Sequence, residues 1–224
     1  MQRDEIASLP VVPTYVSDIW SLLLPLAKDK TVLNVGAAGN VEYYLAGRRD
    51  FWMHERLKDV AREVIGLDVD EDSVAYANSH GEGLLLGNCE NAQLNRKFDL
   101  IVLSEVIEHV NAPAQAVSNL VEHLSPNGKL FITTPNPTYY GSVMRALFNI
   151  SMNVYYDHVT AFFPENLVVL CRRLGLKISS IHFFNDRNIR VPGLKFRLWV
   201  ALLIGRLFHR LSSNFIVIVD ASES

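Results

Sequence analysis

The sequence is poor in the features that mark several common classes of protein. It has only two cysteines, Cys89 and Cys171, in 224 residues, which are too few for a disulfide framework or a zinc site. Its net charge is only −3, so no excess of basic side chains indicates a nucleic-acid surface. No apolar run has the length needed to span a bilayer, and the acidic start at Asp4 and Glu5 lacks the apolar core of a signal peptide. We therefore expect one domain over 1–224, in the cytoplasm.

The sequence also lacks the G-x-G-x-x-G motif of dinucleotide-binding proteins. An alanine, Ala38, stands where its second glycine would be, in a loop of small residues at 36–39 that follows the apolar run Val32–Val35. This pattern predicts a buried parallel strand and a turn where the backbone approaches a ligand. Open α/β sheets bind ligands at the carboxyl ends of their strands. The same strand and turn also occur in α/β proteins without a cofactor.

Further apolar runs predict the rest of a sheet. Strands are expected at Val64–Asp68, Leu84–Leu86, Phe98–Ser104, Lys129–Asn136, Lys177–Phe184 and Phe215–Asp220. Helical spacing predicts intervening helices, the first from Thr14 to about Lys28 with Pro25 bending or ending it, and a broken one over 41–62. The alternatives for His54, in this broken helix, are an active-site, a surface or a core histidine. The alternation predicts a doubly wound, mostly parallel sheet.

Two segments interrupt this alternation. Residues 137–163 form a long insert rich in aromatic residues, which we expect to cover the substrate site or to pack in the core. Residues 194–211 predict an apolar helix with basic residues, too short to span a membrane. Packing on its own domain is the favoured interpretation of this helix. The alternatives are that this helix lies on a membrane surface or forms a homodimer interface.

The strand ends, in this order, resemble those of class I S-adenosylmethionine (SAM)-dependent methyltransferases, from about Thr31 to the end of the chain. The resemblance implies a Rossmann-like, seven-stranded α/β sheet with an antiparallel last strand. It places the methionine part of SAM at the loop 36–39, the ribose at Asp68 and the reactive end at Ser104. The implied cofactor residues are Gly36, Ala37, Ala38, Gly39, Asp68, Val69, Asn88, Cys89, Glu90 and Ser104. The chain departs from the usual family pattern at Asn34, Ala38 and Asn40.

Some of these positions can also be interpreted from chemistry alone. A carboxylate at the end of the second strand, Asp68, can accept hydrogen bonds from both hydroxyls of a ribose. The alternative is that Asp68 or Asp70 only caps the helix that begins near Glu71.

The fourth strand leads into a cluster of candidate catalytic residues. If a helical turn begins at Glu105, then Glu105, Glu108 and His109 share one face at i, i+3 and i+4. Oxygen and imidazole ligands suit Mg²⁺ or Mn²⁺, and Asp157 or His158 is the candidate for a further ligand. The alternatives are metal-free catalysis with His109 or His158 as general base, or a purely structural role.

This Glu-x-x-Glu-His segment with a later Asp-His resembles the small-RNA 3′-end 2′-O-methyltransferases. Similar segments occur in the ubiquinone-pathway O-methyltransferases. The resemblance implies a metal site formed by Glu105, Glu108, His109 and His158, with His158 and His109 as the catalytic residues.

We therefore expect a SAM-dependent methyltransferase that acts on a hydroxyl oxygen of a small molecule, sugar or glycan, assisted by a divalent metal. An RNA 2′-hydroxyl is the alternative acceptor, although RNA binding would need a basic track and stacking aromatics. Two rivals belong to other classes. One is an NAD-dependent oxidoreductase, which the missing glycine motif disfavours, and the other is a non-catalytic member of the fold.

Overall fold

The computed structural model describes residues 8–185 and 203–221. The strands in chain order are β1 (Thr14–Tyr15), β2 (Thr31–Val35), β3 (Glu63–Asp68), β4 (Leu85–Leu86), β5 (Phe98–Ser104), β6 (Leu124–Pro135), β7 (Lys177–Phe184) and β8 (Asn214–Asp220). The helices are α1 (Trp20–Ala27), α2 (Val41–Leu45), α3 (Met53–Lys58), α4 (Glu71–Ser79), α5 (Pro113–Glu122), α6 (Tyr140–Leu147) and α7 (Pro164–Arg173). Short 3₁₀ turns occupy Arg49–Phe51 and His209–Leu211.

These strands form one sheet in the order β1-β7-β8-β6-β5-β2-β3-β4. Neighbouring strands are parallel except at β8, which is antiparallel to both β6 and β7. The predicted Rossmann-like, mostly parallel α/β sheet with an antiparallel last strand is therefore confirmed. The described sheet has eight strands because Thr14 and Tyr15 add an edge strand to the seven that were expected. The prediction of a helix from Thr14 is wrong, since α1 begins only at Trp20.

The central strands are buried because helices cover both faces of the sheet. On β5, Leu100 and Val102 pack against α1 and α3. The alternate residues Ile101 and Leu103 pack on the other face against α5 and α7. Because both faces are covered, strands such as β5 are almost entirely apolar in sequence. Side chains of these strands can contact a bound ligand only at the strand ends.

The two interrupting segments differ in how far the structure describes them. The insert 137–163 begins with α6, and residues 148–163 then run without a helix or strand. Half of the predicted helix 194–211, residues 194–202, lies outside the described residues, and the described half contains a helical turn at 203–207 and the second 3₁₀ turn. Within the described ranges, none of the helices has the length and apolar character that crossing a membrane requires.

Candidate functional site

A cavity of about 760 Å³ lies at the carboxyl edge of the sheet. Its polar lining comes from the ends of central strands, including Asn34 on β2, Ser104 on β5 and Asn214 on β8. The remaining wall is strongly aromatic and is formed by Trp20, Tyr43, Tyr44, Phe51, Trp52 and Phe184. A cavity of this size and lining at this edge fits a ligand of cofactor size.

The small-residue loop after β2 reaches this cavity through Gly36, Ala37 and Gly39. Gly36 has φ +75°, and a Cβ there would lie 2.4 Å from Cγ2 of Val106. Both its conformation and this close approach therefore require glycine. The loop is fixed to the sheet because the amides of Gly36 and Ala37 donate to the Leu67 carbonyl at 2.8 and 3.3 Å.

A tryptophan from the segment between α2 and α3 supports the same loop. The indole Nε1–H of Trp52 donates to the Ala37 carbonyl at 2.8 Å, and the side chain is almost fully buried. Tyr44 stacks on Trp52 with ring centroids 6.2 Å apart and planes 12° apart. Trp52 thus joins the cavity wall to the loop, a role that the sequence did not predict.

The carboxylate of Asp68 also holds the loop. Its Oδ2 accepts a hydrogen bond from the Ala38 amide at 2.7 Å, and its Oδ1 accepts one from the Asp70 amide at 3.1 Å. Asp70 is the residue that caps α4, since its side chain accepts from the Ser73 amide at 2.7 Å. The cap alternative therefore applies to Asp70. Binding of a ribose by Asp68, which does not line the cavity, stays a prediction.

The other implied cofactor residues, Val69, Asn88, Cys89 and Glu90, lie outside the cavity lining. Asn88 Oδ1 accepts from the Glu90 amide at 2.8 Å, and Glu90 Oε1 accepts from the amide of Ala112 at the start of α5 at 3.1 Å. Cys89 is buried, and burial raises the pKa of its thiol to about 11. Val69 is exposed. Their contact with a cofactor stays a prediction.

Glu105 faces the cavity and not the other candidate metal ligands. It has φ +53°, so the helical turn predicted to begin there does not form. Its Oε1 accepts from Thr133 Oγ1 at 2.7 Å, and its Oε2 accepts from Asn214 Nδ2 at 3.0 Å. The expected common face of Glu105, Glu108 and His109 is therefore absent. Because the side chain is held by β6 and β8, Glu105 does not join the other three in this structure.

The other three candidate ligands do come together. Glu108, His109 and His158, hereafter the Glu-His-His cluster, each offer one ligand atom, and these atoms lie within 4.8 Å of one another. Nε2 of His109 is 4.0 Å from Oε1 of Glu108. The two imidazole rings meet edge to face, with centroids 4.6 Å apart. His158 reaches this position because the amides of Val159 and Thr160 donate to the Glu108 carbonyl.

Burial shifts the pKa of two members of the cluster, Glu108 and His158, in the direction that favours the neutral form. Glu108 is buried, and its burial raises the carboxyl pKa to about 7. Burial also lowers the pKa of His158, and the neighbouring His109 adds to this effect. Nδ1 of His109 is 3.2 Å from Oδ2 of Asp157, which orients the ring.

Comparison with known proteins identifies the family. The model of a methyltransferase domain family matches residues 12–181. The chain belongs to this methyltransferase family. A ubiquinone biosynthesis O-methyltransferase of Coxiella burnetii is 27% identical to this methyltransferase over 176 residues, covering 72% of this chain and 70% of the relative. The corresponding enzyme of Rickettsia canadensis is 38% identical over 128 residues, covering 56% of this chain and 50% of the relative.

Solved structures show the same fold at low identity. A SAM-dependent methyltransferase from Archaeoglobus fulgidus is 16% identical with a TM-score of 0.58, and the match covers 90% of each chain. The N-methyltransferase NodS from Bradyrhizobium japonicum, solved with S-adenosyl-L-homocysteine (SAH), is 14% identical with a TM-score of 0.55, covering 91% of this chain and 85% of NodS. The expected SAM-dependent methyltransferase is confirmed, and the oxidoreductase and non-catalytic rivals are set aside.

Two features of the cluster fit a divalent ion in this methyltransferase. Oε1 of Glu108 is buried and has no hydrogen-bond partner among the described residues, and a buried carboxylate oxygen without a partner is costly. The two imidazoles beside it are ordinary metal ligands. Oxygen and nitrogen donors together suit Mn²⁺ somewhat better than Mg²⁺, which prefers oxygen.

Sequence reasoning missed part of the site. The aromatic wall and the amides at Asn185 and Asn214 line the cavity, although neither was a candidate. Trp52 and Tyr44 stand in the segment 41–62, which the sequence predicts only as a broken helix. The sequence does contain one signal for this part of the site. Four aromatic residues lie between 43 and 52, and such a density could have indicated an aromatic wall of a binding site.

Proposed function

We propose that this methyltransferase transfers the methyl group of SAM to a hydroxyl oxygen of a small molecule, sugar or glycan. The observation that carries the proposal is the position of the Glu-His-His cluster. Thr133 lines the cavity and bonds Glu105, while the next residue, Thr134, donates to Oε2 of Glu108 at 3.0 Å. Adjacent residues of β6 thus connect the cavity to the cluster.

The reaction explains why two neighbouring sites are useful. Methyl transfer is an in-line displacement in which an acceptor oxygen bonds the methyl carbon as the carbon–sulfur bond breaks. The acceptor must be held on line and must lose its proton. The loop at 36–39 and Ser104 would hold the methionine end of SAM. In the metal-free form of the reaction, the imidazoles of His109 and His158 would orient the hydroxyl, and one of them would receive its proton.

We further propose that the cluster binds a divalent ion, Mn²⁺ or Mg²⁺, through Glu108, His109 and His158. Such an ion stabilises a deprotonated oxygen when it is bound. Asp157 would orient His109 through Nδ1, as carboxylates do for metal-ligating histidines. The relatives in Coxiella and Rickettsia are O-methyltransferases, which supports oxygen as the acceptor atom.

The acceptor class is tested by transfer of labelled methyl from SAM into fractionated metabolites, glycans and RNA. We expect label in a metabolite or glycan fraction, as an ether methyl stable to mild base, and its loss with EDTA. Label in RNA alone, or on nitrogen, would contradict the proposed acceptor. Label that survives EDTA would contradict the metal and retain the histidine base.

The metal is tested independently of turnover. Titration of the purified protein with Mn²⁺, followed by electron paramagnetic resonance, should show one bound ion that is lost in Glu108→Gln and in His158→Gln. His80→Gln is the matched control, because His80 is an exposed histidine at the end of α4. Equal Mn²⁺ binding in all four proteins would contradict the site.

A further inference from the structure

The insert 137–163 exposes an apolar surface of unusual extent. Tyr156 is fully exposed, and Leu147, Phe148 and Val154 are each about 70% exposed. The apolar surface is formed by Val143, Met144, Leu147, Phe148, Ile150, Met152, Val154, Tyr155, Tyr156, Val159 and Phe163. The alternative that these side chains pack in the core is therefore wrong for this set. So many exposed apolar residues within one segment indicate a contact with a partner or a membrane.

A second exposed segment lies beside the insert. Leu203, Leu207 and Phe208 are exposed. The Arg210 carbonyl accepts hydrogen bonds from Asn136 Nδ2 and Thr138 Oγ1, both at 2.8 Å. The two segments therefore meet where the insert leaves the sheet. Both parts of the chain expose apolar side chains, and these hydrogen bonds join them at residues 136–138 and 210.

The charge around this surface is cationic. The insert 137–163 carries a single carboxylate, that of Asp157, and it pairs with His109. Residues 203–211 contain two arginines and no acidic residue. Arg210 pairs with Glu165 at 2.6 Å, whereas exposed Arg206 has no ion pair among the described residues. In a protein of net charge −3, this region is locally positive and matches an anionic partner.

We propose that this apolar surface docks on an anionic lipid bilayer. The exposed residues lie on one short helix and an irregular segment, which can enter a fluid headgroup layer without a partner of matching shape. Tyr155 and Tyr156 have the amphipathic rings that favour the membrane–water interface. Arg145 and Arg206 supply the attraction to anionic headgroups, which falls with rising salt.

The test is co-sedimentation of the full chain with phosphatidylcholine vesicles, with and without phosphatidylglycerol. We expect binding to the vesicles that contain phosphatidylglycerol, weakened by salt. The double variant Phe148→Ser/Tyr156→Ser should reduce the partition coefficient by about tenfold or more, since two large side chains lose their buried area. Arg206→Gln should reduce it by roughly two- to fivefold, as expected for one charge.

A matched control is Leu85→Ser/Leu86→Ser, which removes two exposed apolar side chains on β4, at the edge of the sheet opposite β1. It should bind vesicles like the wild type, and SAH affinity and thermal unfolding should show that every variant is folded. No vesicle binding by the wild type would overturn the proposal. Equal binding to neutral vesicles, or an equal loss in the control, would also overturn it. A dimer in solution that Phe148→Ser/Tyr156→Ser converts to monomers, without vesicle binding, would assign the surface to a second copy.

Discussion

Trp52 is the residue that most directly couples the aromatic wall to the loop after β2. Its indole N–H donates a hydrogen bond to the Ala37 carbonyl at the cavity edge, so this carbonyl does not depend on water for a donor. The loop has two alanines between Gly36 and Gly39, so it cannot rely on glycine alone for its shape. A fixed carbonyl here orients the neighbouring amides that a cofactor would meet.

Trp52→Phe should therefore weaken cofactor binding. It keeps an aromatic ring but leaves the Ala37 carbonyl unpaired, which costs about 1–2 kcal/mol and raises the SAH dissociation constant roughly tenfold. Calorimetric titration with SAH measures the change. Trp20→Phe is the matched control, the same substitution on another part of the cavity wall, and should change the constant less. An unchanged constant in Trp52→Phe would remove the proposed role.

His54 makes stability depend on pH. It is buried, and its Nδ1 has no hydrogen-bond partner among the described residues. Burial, with a smaller contribution from the charge of Lys58, lowers its pKa to about 4. The folded protein thus keeps His54 neutral, while the unfolded chain takes up a proton below its ordinary pKa of about 6.5. The contribution of neutral His54 to the free energy of unfolding is fully present above about pH 6.5 and is lost as the pH falls towards 4.

We expect the free energy of unfolding to fall by about 2 kcal/mol from this group between about pH 7 and about pH 5. In His54→Gln this part of the pH dependence should disappear, as measured by urea unfolding at several pH values. His80→Gln, at an exposed histidine, should retain the wild-type slope. The same slope in wild type and His54→Gln would show that His54 is not kept neutral in the folded protein.

At the residue scale, sequence reasoning found the members of the Glu-His-His cluster but misplaced Glu105. The spacing of Glu105, Glu108 and His109 is local and visible in the sequence. The orientation of Glu105 depends on its positive φ and on Asn214, 109 positions later in the chain. Periodicity alone carries no information on such a long-range partner.

At the scale of elements, an ionic clamp attaches α3 to the connection between α4 and β4. The carboxylate of Glu82 is almost fully buried and lies 2.5 Å from Arg49 and 3.0 Å from Lys58. Burial alone would raise the pKa of Glu82, but hydrogen bonds from Lys58 and Arg49 outweigh this effect and lower it. The clamp holds the segment that carries Trp52 against the rest of the fold.

Glu82→Gln should destabilise the protein by about 1–2 kcal/mol, because two partly exposed cations lose a buried partner. Glu63→Gln is the matched control, since Glu63 pairs with Arg96 at 2.6 Å on the surface. We expect less than about 1 kcal/mol for that exposed pair. Urea unfolding of both variants measures the two losses in the free energy of unfolding. Equal losses would show that the clamp stabilises the fold no more than a surface ion pair does.

The sequence predicted elements where the signal is local. The bounds of β5 and β7 were predicted to the residue because apolar runs or alternation mark both ends. The short β1 was missed, since its two residues form a strand only by pairing with β7. The strand predicted to begin at Lys129 begins at Leu124 instead, and the pairing of β6 with β5 shifts between Phe98 and Leu100.

At the scale of the whole molecule, the parallel sheet explains how distant residues form one site. The carboxyl ends of β2, β5 and β6 meet at one edge, so the loop at 36–39, Ser104 and Thr133 line one cavity. The insert after β6 returns His158 to the same edge, beside Glu108. Fold class and edge were therefore predictable from strand order, whereas the contents of the cavity required the packing of helices.

The most direct test of the account separates methyl transfer from cofactor binding in the Glu-His-His cluster. Single-turnover transfer of labelled methyl to the identified acceptor should fall about 100-fold or more in Glu108→Gln and His158→Gln, the range for loss of a group acting on the acceptor proton. SAH affinity, measured by calorimetry on the same proteins, should stay within about twofold of the wild type. Unchanged transfer rates, or rates that fall only in step with SAH affinity, would contradict a role of the cluster in activating the acceptor.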